Sequence, residues 1–153
     1  MGEIFIERLS EKTLSGAARL EELCFSSPWS RESLSLLCRE GAVGFAAVEY
    51  ENGDVKVWAY GGMLTVLDEG QITNIATHPD ARRRGLGEKV TGALLEYGED
   101  HGLTLFSLEV RESNFAAIAL YEKLGFKKAG IRKNFYKLPT ENAVIMIKEK
   151  GTV

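Results

Sequence analysis

The stretch Asn74-Ile75-Ala76-Thr77-His78-Pro79-Asp80-Ala81-Arg82-Arg83-Arg84-Gly85-Leu86-Gly87 decides how the rest of the chain is read. Ile72, Ile75 and Ala76 make an apolar run of strand type, and Pro79 ends it because proline has no N–H to give a ladder. Beyond Gly87, apolar residues recur at Val90, Leu94 and Tyr97 with Ala93 beside them, the spacing of one helix face. The segment therefore reads as strand, loop and helix start. The first N–H groups of a helix lack internal partners, and the helix dipole adds partial positive charge there. Such a terminus binds anions, phosphate above all. Two common phosphate loops do not match. Gly85-Leu86-Gly87-Glu88-Lys89-Val90 lacks the third glycine of the dinucleotide fingerprint and the Gly-Lys-Ser/Thr ending of the nucleoside-triphosphate loop. Taken alone, a basic surface turn ahead of a helix explains the segment equally well.

Working outward, 153 residues with 44% apolar and 27% charged content fit one domain, spanning 1–153, with its own core. The net charge of -3 is not that of a general nucleic-acid binder, so Arg82, Arg83 and Arg84 form a local positive spot suited to a small anion. Cys24 and Cys38 have no Cys-x-x-Cys spacing, and with only His78 and His101 besides they assemble no zinc set. Both read as buried thiols in a reducing compartment, with a disulfide as the lesser alternative. No basic stretch followed by an apolar one opens the chain, and no apolar run approaches the roughly 20 residues of a membrane span. The expectation is a soluble, cytoplasmic protein with no membrane partner.

Before the central stretch, Ile4 to Arg8 alternates as a strand, and Ser10 or Thr13 opens a helix with Leu14, Ala17, Leu20 and Cys24 on one face. Pro28 breaks it, and Ser30 caps a second helix through Leu34, Leu37 and Cys38 that Gly41 closes. Phe25 and Trp29, in the connection, either lock the two helices onto the sheet or wall a substrate groove. Ala42 to Tyr50 and Val55 to Leu67 form a hairpin about Asn52-Gly53, and Asp68-Glu69-Gly70 makes the next turn. Gly61-Gly62 inside the second strand marks a bend or a close backbone approach.

After the long helix from about Gly87 to His101, Thr104 to Val110 is a strand with Glu109 near its end. Asn114 caps a helix ended by Gly125. Phe126 to Arg132 and Ala143 to Lys148 are final strands, with Asn134-Phe135-Tyr136 in the stretch that links them. The chain reads as one α/β domain.

Arg82-x-x-Gly85-x-Gly87 resembles the acetyl-CoA pyrophosphate loop of the GCN5-related N-acetyltransferases (GNAT), and the order β-α-α-β-β-β-α-β-α-β-β is that family's. A second motif joins it: Asn114 opening a helix, Tyr121 seven residues on, then Gly125-Phe126. Phe-x-x-Pro-Trp-Ser at 25–30, Asn-Ile-Ala at 74–76, Leu-Glu-Val-Arg at 108–111 and Asn-Phe-Tyr at 134–136 look like the RimI group of ribosomal-protein alanine N-acetyltransferases. Thr77, His78 and Phe135 depart from that group's usual residues; His78 is given no role.

The resemblance implies the family's fold, a mixed and mostly antiparallel sheet of six to seven strands with about four helices, together with acetyl-CoA as co-substrate, no metal, and the N-terminus of a ribosomal protein as acceptor; the oligomeric state stays open, a monomer being favoured. It implies that the backbone of Ile75, Ala76 and Thr77 pairs with pantetheine and polarises the thioester carbonyl. Arg82, Arg83, Arg84, Gly85, Leu86 and Gly87 then hold the pyrophosphate, and Asn114 meets the pantetheine arm. Glu109 is the expected base and Tyr121 the expected acid: a carboxylate relays the amine's proton, and a phenol of pKa about 10 protonates a departing thiolate. Phe25, Trp29 and Tyr136 are the candidates for the peptide groove. A lysine or small amine as acceptor, or a CoA-binding regulatory module without catalysis, are the competing readings.

Overall fold

The computed structural model describes residues 2–151. In chain order the elements are β1 (Phe5–Arg8), α1 (Glu11–Cys24), the short α2 (Arg31–Leu34) continued by a 3-10 turn (Ser35–Cys38), β2 (Ala42–Glu51), β3 (Asp54–Val66) and β4 (Glu69–Thr77). A 3-10 turn at Pro79–Ala81 leads into α3 (Leu86–Asp100), and β5 (Leu105–Arg111), α4 (Phe115–Lys123), β6 (Lys127–Tyr136) and β7 (Glu141–Glu149) complete the chain. The strands form one sheet in the order β1-β2-β3-β4-β5-β7-β6. The β4–β5 pair is parallel and joined through α3; the other pairs are antiparallel.

The local signals act as their chemistry dictates. Asn52 (φ 52°) and Gly53 (φ 85°) are both left-handed, which a two-residue hairpin turn requires. Ser30 accepts a hydrogen bond from the Ser33 N–H at 3.1 Å, a cap worth about 1 kcal/mol. Three expectations are corrected. The turn placed at 68–70 lies one residue earlier, because Leu67 takes the left-handed φ of 55° and Glu69 already pairs with Val66. The stretch 134–136, taken as a link, belongs to β6. Cys38 is exposed and Cys24 half-buried rather than both buried, and both cysteines are free thiols.

What positions the site is a parting of the sheet. β4 and β5 pair only as Glu69↔Leu105, Gly70↔Phe106 and Gln71↔Ser107, although both strands continue. The cause lies on β4's other edge: Gly61 faces Ile75 and Met63 faces Ile72, so Gly62 alone opposes Thr73 and Asn74. This bulge bends β4 and resets which way its side chains point. Ile72 and Ile75 join the core under α3 and α4, while Asn74 reaches α1 and Ala76 joins the core under α1. Gly61 and Gly62 are required opposite it. A Cβ at Gly61 would lie 2.5 Å from Ile75 Cδ1, and one at Gly62 would lie 2.5 Å from Leu37 Cδ1. That crowding corresponds to about 1–3 kcal/mol of overpacking.

Each face of the sheet has its own core. Leu94, Phe106, Leu108, Ile118, Tyr121 and Met146 pack on the α3–α4 face; Leu14, Leu20, Leu34, Leu37 and Tyr60 pack on the α1–α2 face. Among the described residues, no helix is long and apolar enough to cross a membrane.

Candidate active site

The candidate cofactor site begins where β4 loses its parallel neighbour. Ile75, Ala76 and Thr77 pair with Gly61, Tyr60 and Ala59 on one edge, and their other edge faces the gap toward β5. The Thr77 carbonyl also accepts from the Cys24 thiol at 3.4 Å. After the 3-10 turn the loop reverses sharply, with Arg83 at φ 67° and Gly85 at φ 74°. Gly85 is the N-cap of α3, and no atom lies within 4 Å of where its Cβ would stand. The position therefore needs glycine for its left-handed backbone, and the space beside it is open to a ligand. The first-turn N–H groups of α3 open onto this loop without intrahelical partners. Leu86 is the exception among the loop residues: its side chain is buried in the core, so its backbone alone can serve an anion. Arg82, Arg83 and Arg84 are exposed, and Arg82 contacts Cys24 Sγ at 3.8 Å. The open space, the unpaired strand edge and the three cations fit a diphosphate carrying an extended amide arm.

His78 faces away from that role. Its ring accepts from the Asp80 N–H at 3.1 Å and packs edge-on against Trp58.

Glu109 and Tyr121 lie on opposite faces of the sheet. On β5, Leu108 and Val110 point into the α3–α4 core, so the alternating Glu109 points to the α1–α2 side. It forms an ion pair with Arg132 of β6 at 3.3 Å; Glu109 is 34% exposed and Arg132 56%. Tyr121 projects from α4 into the α3–α4 core. Its backbone is fixed by the end of the helix: the Phe126 N–H donates to the Tyr121 carbonyl at 2.9 Å and the Gly125 N–H to the Glu122 carbonyl at 3.0 Å. This is a Schellman motif, whose usual apolar contact here is the Phe126 ring edge-on to Tyr121 at 5.8 Å. The pattern Tyr121…Gly125-Phe126 is thus a device for holding one phenol. Burial, then the nearby Tyr136 hydroxyl, push the Tyr121 phenol well above its ordinary range. Tyr136 is pushed up to about 12 by burial and by the charge of Glu109. The three groups therefore share one electrostatic neighbourhood. Asn114 accepts from the Ala117 N–H at 3.2 Å as the N-cap of α4, leaving its side-chain NH2 for other partners.

A second cluster, beside Tyr136, is organised by Arg111, which the sequence did not single out. Its guanidinium donates to the Lys137 carbonyl (2.9 Å), the Pro139 carbonyl (3.0 Å), Glu141 (3.2 Å) and Ser26 Oγ (3.4 Å). It also lies 4.5 Å over the ring of Tyr136. Ser26 donates in turn to the Lys137 carbonyl at 3.3 Å, so the α1–α2 and β6–β7 connections meet. Phe25 and Trp29 do not make that contact; both pack against the α1–α2 core while remaining partly exposed. Tyr136 reaches its place through a second bulge, since Arg132 pairs with Ala143 and Tyr136 with Glu141, which crowds Lys133, Asn134 and Phe135 opposite Asn142.

Glu21 was also missed. It is fully buried in α1 and accepts from the Tyr60 hydroxyl, the Asn74 amide and the Trp29 N–H. The available signal was an acid one residue from Leu20 on the apolar helix face.

Comparison with known proteins agrees with this geometry. Residues 14–126 match the model of the acetyltransferase (GNAT) family. The ribosomal protein bS18-alanine N-acetyltransferase of Escherichia coli (strain K12) is 39% identical over 145 residues, which cover 92% of this chain and 94% of that protein. The Haemophilus ducreyi enzyme of the same name is 34% identical over 144 residues, 92% of this chain and 97% of that protein. The crystal structure of the ribosomal-protein-S18-alanine N-acetyltransferase from Escherichia coli superposes with a TM-score of 0.86 at 36% identity, covering 99% of this chain and 96% of that one. The match over residues 14–126 and relatives of this likeness mean that the chain belongs to the acetyltransferase (GNAT) family.

Proposed function

We propose that the protein transfers the acetyl group of acetyl-CoA to the N-terminal alanine α-amine of ribosomal protein bS18, acting as one domain. The observation that carries this reading is the 39% identity, across 92% of the chain, to an enzyme with that activity. In the proposed arrangement Arg82, Arg83 and Arg84, with the backbone of Gly85, Leu86 and Gly87, bind the pyrophosphate. The open edge of Ile75, Ala76 and Thr77, together with Asn114, holds the pantetheine arm. Acetyl-CoA supplies an activated acetyl thioester.

The remaining chemistry falls to side chains. Glu109 takes the amine's proton, directly or through one water, as the nitrogen attacks. Tyr121 offers its O–H to the departing sulfur as a hydrogen-bond donor; burial raises its phenol, which keeps the proton on the oxygen and makes full transfer to the thiolate less favourable than from an ordinary phenol. An α-amine has a pKa near 8 against about 10.4 for lysine, so roughly two orders of magnitude more of it is free base at neutral pH. A partly exposed carboxylate such as Glu109 then suffices as base. The bridge from Ser26 to Lys137, tightened by Arg111, supports an acceptor that arrives end-on, with Phe25, Trp29 and Tyr136 beside it.

The test is initial-rate acetylation of two matched peptides at fixed acetyl-CoA. One has a free N-terminal alanine and no lysine; the other has a blocked N-terminus and one internal lysine. Preference for the first by about 100-fold or more is expected. Turnover of the second alone, or of neither, would remove the α-amine assignment.

A further inference from the structure

Glu21 is a carboxylate with no exposed surface, and its hydrogen bonds come from three separate parts of the fold. Oε2 accepts from the Tyr60 hydroxyl of β3 at 2.5 Å and from Asn74 Nδ2 of β4 at 3.0 Å. Oε1 accepts from the Trp29 N–H, in the α1–α2 connection, at 2.8 Å, and from Asn74 Nδ2 at 3.3 Å. Burial and the Glu21 charge raise the Tyr60 phenol, so Tyr60 stands there as a donor. The two other partners matter by position. Asn74 is the second residue of the bulge that turns Ile75–Thr77 away from β5. Trp29 lies in the connection that meets the β6–β7 turn over the Glu109 side of the sheet. A network that only filled the core would be costly there, because apolar side chains of similar volume would pack as well without a charge to desolvate.

We infer that Glu21 is a positioning residue of the transfer reaction, a buried link that keeps the acceptor wall at Trp29 in fixed register with the cofactor strand at Asn74. The inference rests on the acetyltransferase reading above. Glu21 touches no reacting atom. It sets the distance between an amine held by one wall and a thioester held by the other, and such a distance governs the rate of the chemical step more than the affinity of either substrate. A displacement of about 1 Å costs on the order of 100-fold in rate.

The test compares Asn74→Ala, Glu21→Gln and Glu21→Met in the full-length enzyme. Asn74→Ala cuts the link at its far end and leaves Glu21 bonded to Tyr60 and Trp29. It is expected to lower kcat by at least about tenfold, with KM for the alanine peptide and Kd for acetyl-CoA within about threefold of wild type. Glu21→Gln keeps an amide oxygen and a donor and should retain more activity than Glu21→Met, which keeps neither. A second measurement is independent of turnover. Exchange of the Trp29 amide hydrogen should quicken in Asn74→Ala, although that substitution is on β4 and Trp29 lies in the α1–α2 connection.

If Glu21→Met does not fold, Asn74→Ala decides alone. The inference is overturned if Asn74→Ala leaves kcat within twofold and Trp29 exchange unchanged, or if its loss appears wholly in KM or Kd. Should the wild type acetylate no alanine peptide, the functional reading fails first, and Trp29 exchange alone then decides whether the link exists.

Discussion

From Ile75 to Gly87 the proposed cofactor end is consecutive chain: a strand edge, a left-handed glycine and a helix start, all offering backbone groups. The proposed acceptor end is assembled from Ser26, Arg111, Tyr136 and Lys137, which come from three distant segments and meet through one guanidinium. The first kind of site depends on where the backbone goes, and a few residue types dictate that. The second depends on side chains that find each other only after the sheet has formed. The two ends should therefore fail separately, while the groups between them should fail in the chemical step alone.

The largest effect is expected between the ends. Glu109→Gln and Tyr121→Phe should each lower kcat by about 10²–10⁴-fold while KM for both substrates stays within a few-fold, as steady-state kinetics at saturating substrate will show. Unchanged turnover in both would leave the fold standing and remove these residues from the chemistry. Next comes the cofactor end. Gly85→Val places a β-branched side chain at φ 74° and in the open space beside the helix start. It should raise KM for acetyl-CoA about tenfold or more and leave the peptide KM nearly unchanged. The mirror experiment is Arg111→Ala, which should raise the peptide KM about five- to tenfold without altering that for acetyl-CoA. Arg111→Lys should not restore it, since an ammonium cannot reach two carbonyls and stack on Tyr136 together.

The smallest effect concerns stability. Tyr60, Tyr121 and Tyr136 all have phenols raised above their unfolded value, burial being the first cause of each. Between the unfolded pKa of about 10 and the higher folded values, the native state holds more protons, so stability is full below pH 10 and falls as pH rises above it. A Tm series from pH 8 to 11 should decline by a few degrees at its alkaline end, and less steeply in Tyr60→Phe.

This contrast also explains what could be read from the sequence. Gly85, Asn114 and Gly125 each impose a local backbone conformation, so the phosphate loop, the α4 cap and the helix end holding Tyr121 were legible in it. The strand types followed from alternation, but the turn at Leu67 and the extent of β6 did not. Leucine at φ 55° is a poor turn signal, and the second bulge at Lys133–Phe135 breaks alternation where β6 continues. Phe25 and Trp29 were visible as aromatics out of place, yet the contact between the two connections is made by Ser26, whose identity says nothing by itself. Glu109's partner also depended on the fold, because the β5-β7-β6 order carries Arg132 to it while Arg111 turns to Glu141.

One measurement reaches the whole account: mass-spectrometric mapping of acetyl groups on intact bS18 after incubation with enzyme and acetyl-CoA. A single acetyl group is expected, on the α-amine of the N-terminal alanine, formed at a rate that Glu109→Gln lowers by about 100-fold or more. Acetyl groups on lysine side chains, or none at all, would contradict the account.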